Sequence, residues 1–217
     1  MIGDLLPSSV SSCEAFRDEP GEPPFPGEEQ VIARAVEERR REFVTARRCA
    51  REALARIGVP PVAILPGVRR APQWPAGVVG SITHCTGYRA AAVARATRLA
   101  ALGIDAEPHE PLPEGVFATV SVPAERPHLA ELARRAPGTH WERLLFTAKE
   151  SVFKAWYPLT GRELGFEEAA LTFGPDGTFT AEVLAPDPVL RGFSGRWRVS
   201  RGLVLTAVVV RPDALRR

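Results

Sequence analysis

A chain of 217 residues, 45% hydrophobic and 25% charged, is long enough for one large domain or two small ones and has the composition of a globular protein, not a disordered or fibrous one. Its 28 basic and 26 acidic side chains leave a formal charge of +2, too even for a nucleic-acid coat or a membrane-surface protein, so any basic site must be a local cluster. No apolar run reaches membrane-spanning length and no basic segment precedes an apolar stretch near Met1, which predicts a cytoplasmic protein that binds neither nucleic acid nor membrane.

Residues 1–27 carry Pro20, Pro23, Pro24 and Pro26 with Gly21 and Gly27 and read as an arm. From Glu28, the spacing of Val31, Ile32, Val36, Phe43, Ala50, Leu54 and Ile57 predicts one long amphipathic helix, stopped by Gly58, Pro60 and Pro61. After a loop from Pro66 to Pro75, the runs Gly77–Ile82, Tyr88–Ala94 and Leu99–Asp105 predict three strands of one small sheet. A Pro- and Glu-rich stretch, Pro108–Pro127, is expected to wander, and a helix follows over Ala124–Arg135. The stripe Trp141, Leu144, Leu145, Val152 and Trp156 predicts a second strong helix from His140 to Tyr157, ended by Pro158. Segments Ala170–Phe173, Phe179–Leu184, Arg196–Ser200 and Leu203–Val210, separated by turns such as 174–177, predict antiparallel strands. The order helix, sheet, helix, sheet is that of an α+β protein built of two similar halves, 28–107 and 108–217.

Cys13, Cys49 and Cys85 are odd in number and widely spaced, which suits buried reduced thiols better than disulfides or a zinc knuckle. All but two of the 28 basic residues are Arg, and the two lysines, Lys149 and Lys154, share one short segment. A compact, flexible ammonium kept in only one place suggests a local need for that shape.

Asp105 and Glu107 close an apolar run just before Pro108. In an extended chain they point to one side, where hard oxygen ligands suit Mg2+; a solvated acidic pair is the plainer alternative. Glu150 and Lys154 share a face of the second helix, as an ordinary i, i+4 ion pair or as a third acid and a phosphate-holding cation. Thr83 and His84 leave a strand as hydroxyl and imidazole, donors fit for a phosphate. Eight arginines crowd the first helix, Arg39 and Arg47 among them, and Arg69 and Arg70 extend the basic set. No nucleophile elbow, Walker A or dinucleotide-binding glycine pattern is present.

Together, G-S-I-T-H-C at 80–85, G-I-D-A-E-P at 103–108 and F-T-A-K-E-S-V-F-K-A-W at 146–156 resemble the three signature blocks of the phosphopantetheinyl transferases. R-x-P-x-W-P-x-G at Arg70–Gly77 and R-R-x-E-F at Arg39–Phe43 further resemble the enterobactin-synthetase-component-D-like branch of the Sfp-type enzymes. The resemblance implies a monomeric pseudo-dimer of two α+β halves with the site between them. It implies transfer of the 4'-phosphopantetheine arm of coenzyme A to a serine of an apo acyl, aryl or peptidyl carrier protein, releasing adenosine 3',5'-bisphosphate. The carriers would be those of fatty-acid, polyketide or nonribosomal-peptide assembly. Carried over, Asp105, Glu107 and Glu150 would hold Mg2+ (or Mn2+, which suits the same ligands), with Glu150 or a metal-bound water as base. Lys149 and Lys154 would steady the phosphates, Thr83 and His84 take the 3'-phosphate, Arg39, Arg47 and Arg69 surround the nucleotide, with helical phase not choosing between Arg39 and Arg40 or between Arg47 and Arg48, and Leu164 line the cofactor's path. A nucleotide-binding module without chemistry and a metal-dependent phosphohydrolase are the competing classes.

Overall fold

The computed structural model describes residues 1–186 and 190–216. Among them, eight strands form two antiparallel sheets, each covered by one long helix. The smaller sheet has the order β1-β3-β2, with β1 at Ser11–Ala15, β2 at Val78–Cys85 and β3 at Tyr88–Arg95. The larger has the order β4-β8-β7-β6-β5, with β4 at Ala101–Pro108, β5 at Ala169–Phe173, β6 at Thr178–Val183, β7 at Gly192–Ser200 and β8 at Leu203–Val210. No helix is long and apolar enough to cross a membrane.

Three sequence expectations change. The N-terminal stretch is not a free arm: Cys13 pairs with Ala91 of β3, and Ile2 is fully buried in the core between the sheets. The long first helix is broken into α1, Glu29–Ile32, and α2, Glu37–Arg56, by an extended Val36. No proline or glycine marks the break; it folds Ile32 back onto Phe43 and Val44, burying an apolar cluster that a straight helix would leave open. The three expected strands of one sheet divide, because β4 pairs with β8 in register Asp105↔Thr206. The boundary expected after residue 107 falls at the last residue of β4, a strand that pairs in the larger sheet.

The stretch expected to wander contains α3, Val116–Val120, and the next helix, α4, runs over Arg126–Arg135. The second long helix, α5, spans Trp141–Thr160 with Pro158 inside its last turn. Proline removes one backbone donor there, but the helix continues to Gly161, whose φ of +65° closes it on the Tyr157 carbonyl. Burial of Leu144, Leu145, Val152 and Trp156 contributes about 1.5–3 kcal/mol per side chain, which pins α5 to the larger sheet. Of the cysteines, Cys49 alone is buried; Cys13 and Cys85 are half-buried, and all three are free thiols.

The two sheets meet at their edge strands. Ser81 Oγ accepts from the Ile104 amide and Thr83 Oγ1 from the Ala106 amide, both at 3.1 Å. The two-residue step on each side shows that β2 and β4 run in the same direction, joined by side-chain hydroxyls where ladder bonds would otherwise stand. On the outer face of β4, Gly103 lets α5 lie directly on the strand: a Cβ there would come within 1.9 Å of the Ser151 carbonyl. That contact sets the distance from α5 to the end of β4.

Candidate active site

A cavity of about 950 Å³ opens where β2 meets β4, between the two long helices. Arg39, Arg47, Arg69, Thr83, His84, Asp105, Glu107, Glu150 and Lys154 all line it, so strand ends and helix faces up to 115 residues apart in sequence share one wall. Its apolar lining includes Phe43, Trp74, Phe153 and Tyr157, none of which sequence reasoning assigned to the site.

The acid end is built on β4 and α5. Asp105 is buried, and its Oδ1 accepts from Lys154 Nζ at 2.6 Å and from Thr83 Oγ1 at 3.0 Å. Lys154 thus turns to the strand, also donating to the Ile104 carbonyl at 3.2 Å, rather than forming the i, i+4 pair with Glu150 that helix spacing allows. Asp105 Oδ2 is buried without a hydrogen-bond partner. An orphaned carboxylate oxygen in a cavity is costly unless a ligand completes it. Glu107 shares Asp105's face of β4 but swings to Arg143 Nη1 at 3.3 Å. Burial and the Asp105 charge push Glu107 up to about 7, while Arg143 pulls it down. Burial and Asp105 likewise raise Glu150.

These donors suit a hard divalent cation: all are carboxylate oxygens, one is orphaned, and two are raised, first by burial and then by the Asp105 charge. Among the described residues, however, no three His, Cys, Asp or Glu side chains are already grouped to hold a metal. The three acids expected from the sequence all reach one cavity, where Glu107 is drawn toward Arg143.

The basic end comes from α2, β2 and the 66–72 loop. Arg39 Nη1 contacts His84 Nε2 at 2.6 Å. Arg47 donates Nε to the Ile64 carbonyl at 2.7 Å and lies over the Phe43 ring at 3.4 Å; burial pushes it down to about 10, still cationic at neutral pH. Arg69 and Arg70 are consecutive with φ of +55° and +61°, strained for side-chain-bearing residues, and both face the cavity. Arg69 also pairs with Glu163, in the turn after α5.

His84 is half-buried, and burial together with the Arg39 charge lowers it to about 4. Between pH 6.5 and 4 the unfolded chain therefore binds a proton that the native ring refuses, so stability falls on acidification through that window and is unaffected above it. Denaturant unfolding at pH 7 and pH 5 should show a smaller loss for His84→Gln than for wild type. An equal loss would mean His84 titrates normally.

Three expected site residues are placed differently. Lys149 lies about 100° around α5 from Glu150 and is buried in the second half, donating to the carbonyls of Val120 (2.9 Å) and Phe166 (2.7 Å) and pairing with Glu125 at 3.0 Å. It is structural: Lys149→Met, by stranding buried Glu125, should cost about 3–5 kcal/mol and lower the melting temperature while leaving kcat of the folded fraction close to wild type. A stable variant with lost turnover would restore a phosphate role. Leu164 packs against the core of the larger sheet rather than lining the cavity. Thr83 lines the cavity, but its hydroxyl is committed to Asp105 and the Ala106 amide, leaving no free donor for a phosphate.

Arg143 was missed, since nothing local distinguishes it from other arginines. It clamps the carbonyls of Glu110 (3.1 Å) and Pro111 (2.8 Å) while holding Glu107.

Comparison with known proteins points one way. Residues 27–94 match a model described as the 4'-phosphopantetheinyl transferase N-terminal domain, and 101–208 match the 4'-phosphopantetheinyl transferase superfamily. The chain is 59% identical to the 4'-phosphopantetheinyl transferase Svp of Streptomyces mobaraensis, over 99% of this chain and 91% of that protein. It is 50% identical to Npt of Nocardia iowensis (96% and 99% covered) and 48% identical to PptT of Mycobacterium tuberculosis (97% and 98%), both named 4'-phosphopantetheinyl transferases.

Proposed function

The chain belongs to the 4'-phosphopantetheinyl transferase superfamily and is a transferase of that class, and on that premise we propose that its donor is coenzyme A and its acceptor a serine hydroxyl of an apo acyl, aryl or peptidyl carrier protein. Adenosine 3',5'-bisphosphate leaves. The observation that carries this reading is the polarity of this cavity, with Arg39, Arg47, Arg69 and His84 at one end and Asp105, Glu107, Glu150 and Lys154 at the other. A nucleotide ending in a phosphomonoester fits the first and a diphosphate the second.

Asp105, Glu107 and Glu150 would hold a divalent cation, Mg2+ or Mn2+, which when bound neutralises charge on the diphosphate. Lys154, fixed by Asp105, steadies the oxygen that bridges to the leaving nucleotide. Glu150, or a water beside it, takes the proton of the incoming serine. Charge developing on phosphate oxygens is met by fixed cations, which is most of what phosphoryl-type transfer asks of a protein. Both ends of the site come from one chain, in keeping with a monomer. The free thiols agree with a reducing compartment, hence the cytoplasm.

Incubation with coenzyme A, Mg2+ and an apo carrier, followed by intact-mass measurement, tests the reading: the carrier should gain about 340 Da, the mass of the arm. A carrier of unchanged mass with coenzyme A cleaved would indicate a phosphohydrolase, and neither change a binding module.

A further inference from the structure

Behind the basic end of the cavity stands a carboxylate that the transfer reaction leaves without a role. Glu42, on α2 three residues after Arg39, does not itself line the cavity. Its Oε2 lies 3.2 Å from Arg39 Nη1 and 3.6 Å from His84 Nδ1, and its Oε1 lies 3.5 Å from Arg89 Nη2. Arg89, on β3, is buried and in turn held by Asp18, with Nη2 to Oδ2 at 2.9 Å, and by the Cys85 and Tyr88 carbonyls. Glu42 is therefore fixed from three elements, and its Oε2, shared by Arg39 and His84, is the oxygen turned toward the site.

The hydrogen-bond roles follow from chemistry. A guanidinium only donates, so the 2.6 Å contact makes His84 Nε2 an acceptor and puts the ring proton on Nδ1, toward Glu42. A ring in that state offers a lone pair, not a donor, to an anion arriving beside Arg39. To hydrogen-bond a phosphate oxygen, Nε2 must gain a proton, and the resulting imidazolium needs a counter-charge on its far side. Of the charged groups facing His84, Arg39 on α2, Arg89 on β3 and Lys154 on α5 oppose that protonation; Glu42 alone favours it.

This inference rests on the reading that the 3'-phosphate of coenzyme A occupies the basic end. We infer that Glu42, seated by Arg89, is a positioning residue that holds His84 as the Nδ1–H tautomer in the free protein and supports its protonation when the phosphomonoester binds, making nucleotide recognition proton-linked. The proton comes from solvent and no covalent bond changes. A carboxylate orienting the ring that meets the ligand is a recurrent way of fixing a tautomer.

Calorimetric titration at pH 7.5 in two buffers of different ionisation enthalpy reads the protons taken up on binding. Coenzyme A should take up measurably more protons than 3'-dephospho-coenzyme A, and the His84 ring 15N signals should shift from neutral toward imidazolium. In Glu42→Gln that excess should shrink and the Kd for coenzyme A rise roughly tenfold, with kcat at saturation nearly unchanged. Equal affinity of wild type for the two ligands would overturn the phosphate placement, and the inference with it. Clear discrimination between them without excess proton uptake in wild type, or full uptake and unweakened binding in Glu42→Gln, would overturn the role of Glu42 alone.

Discussion

Asp105→Asn is expected to fold and yet to lose carrier modification by about a thousandfold or more, the scale seen when a charge-stabilising group is removed from a transition state. The substitution keeps the shape of the side chain and an oxygen for Thr83 Oγ1 and removes only the charge. Lys154 retains the Ile104 carbonyl, so little stability should be lost. What disappears is the buried anion common to both acid-end elements: the partner of Lys154, the source of the repulsion that adds to burial in raising Glu107 and Glu150, and the owner of the orphaned Oδ2. kcat/KM on an apo carrier, with the melting temperature as control, checks this. Turnover within tenfold of wild type would remove Asp105 from the chemistry.

Gly103→Ala should damage the fold itself, although it adds one methyl group. The new Cβ would sit 1.9 Å from the Ser151 carbonyl and 2.9 Å from the Ala155 amide, and backbone, unlike the end of a side chain, cannot rotate aside. Overpacking commonly costs about 1–3 kcal/mol; a backbone clash this close belongs at or above the top of that range, against a total stability of about 5–15 kcal/mol. Any folded fraction would have α5 pushed off β4, separating Lys154 from Asp105, so kcat should fall along with stability. Gly138→Ala is the control, since a Cβ there meets nothing within 4 Å. Denaturant midpoints for the two variants decide it, and equal midpoints would mean that the helix does not rest on the strand as described.

The parts of the molecule legible in the sequence are those whose cause is local. The apolar stripe of α5, the turn at 174–177 and the run of β8 carry their own periodicity, and helical phase alone puts Glu150 and Lys154 on one face. What escaped depends on partners distant along the chain. Ser11–Ala15 has no strand pattern of its own and is extended because β3 offers an open edge. β4 follows β3 in sequence but pairs with β8, a choice made by the hydrophobic face it shares with Leu203 and Leu205. Lys149 and Lys154 look like a matched pair by type, whereas burial sends one into the core and the other to the site. Glu42 and Arg143 act through His84 and Glu107, contacts that exist only once both sheets are in place.

The convergence of β4 and α5 on a diphosphate is tested most directly by calorimetric titration of coenzyme A into the wild-type protein with Mg2+ and again with the cation chelated. The affinity should fall at least about tenfold on chelation, and Asp105→Asn should bind with that same weaker affinity under both conditions. Identical wild-type binding and turnover with and without the cation would contradict the account.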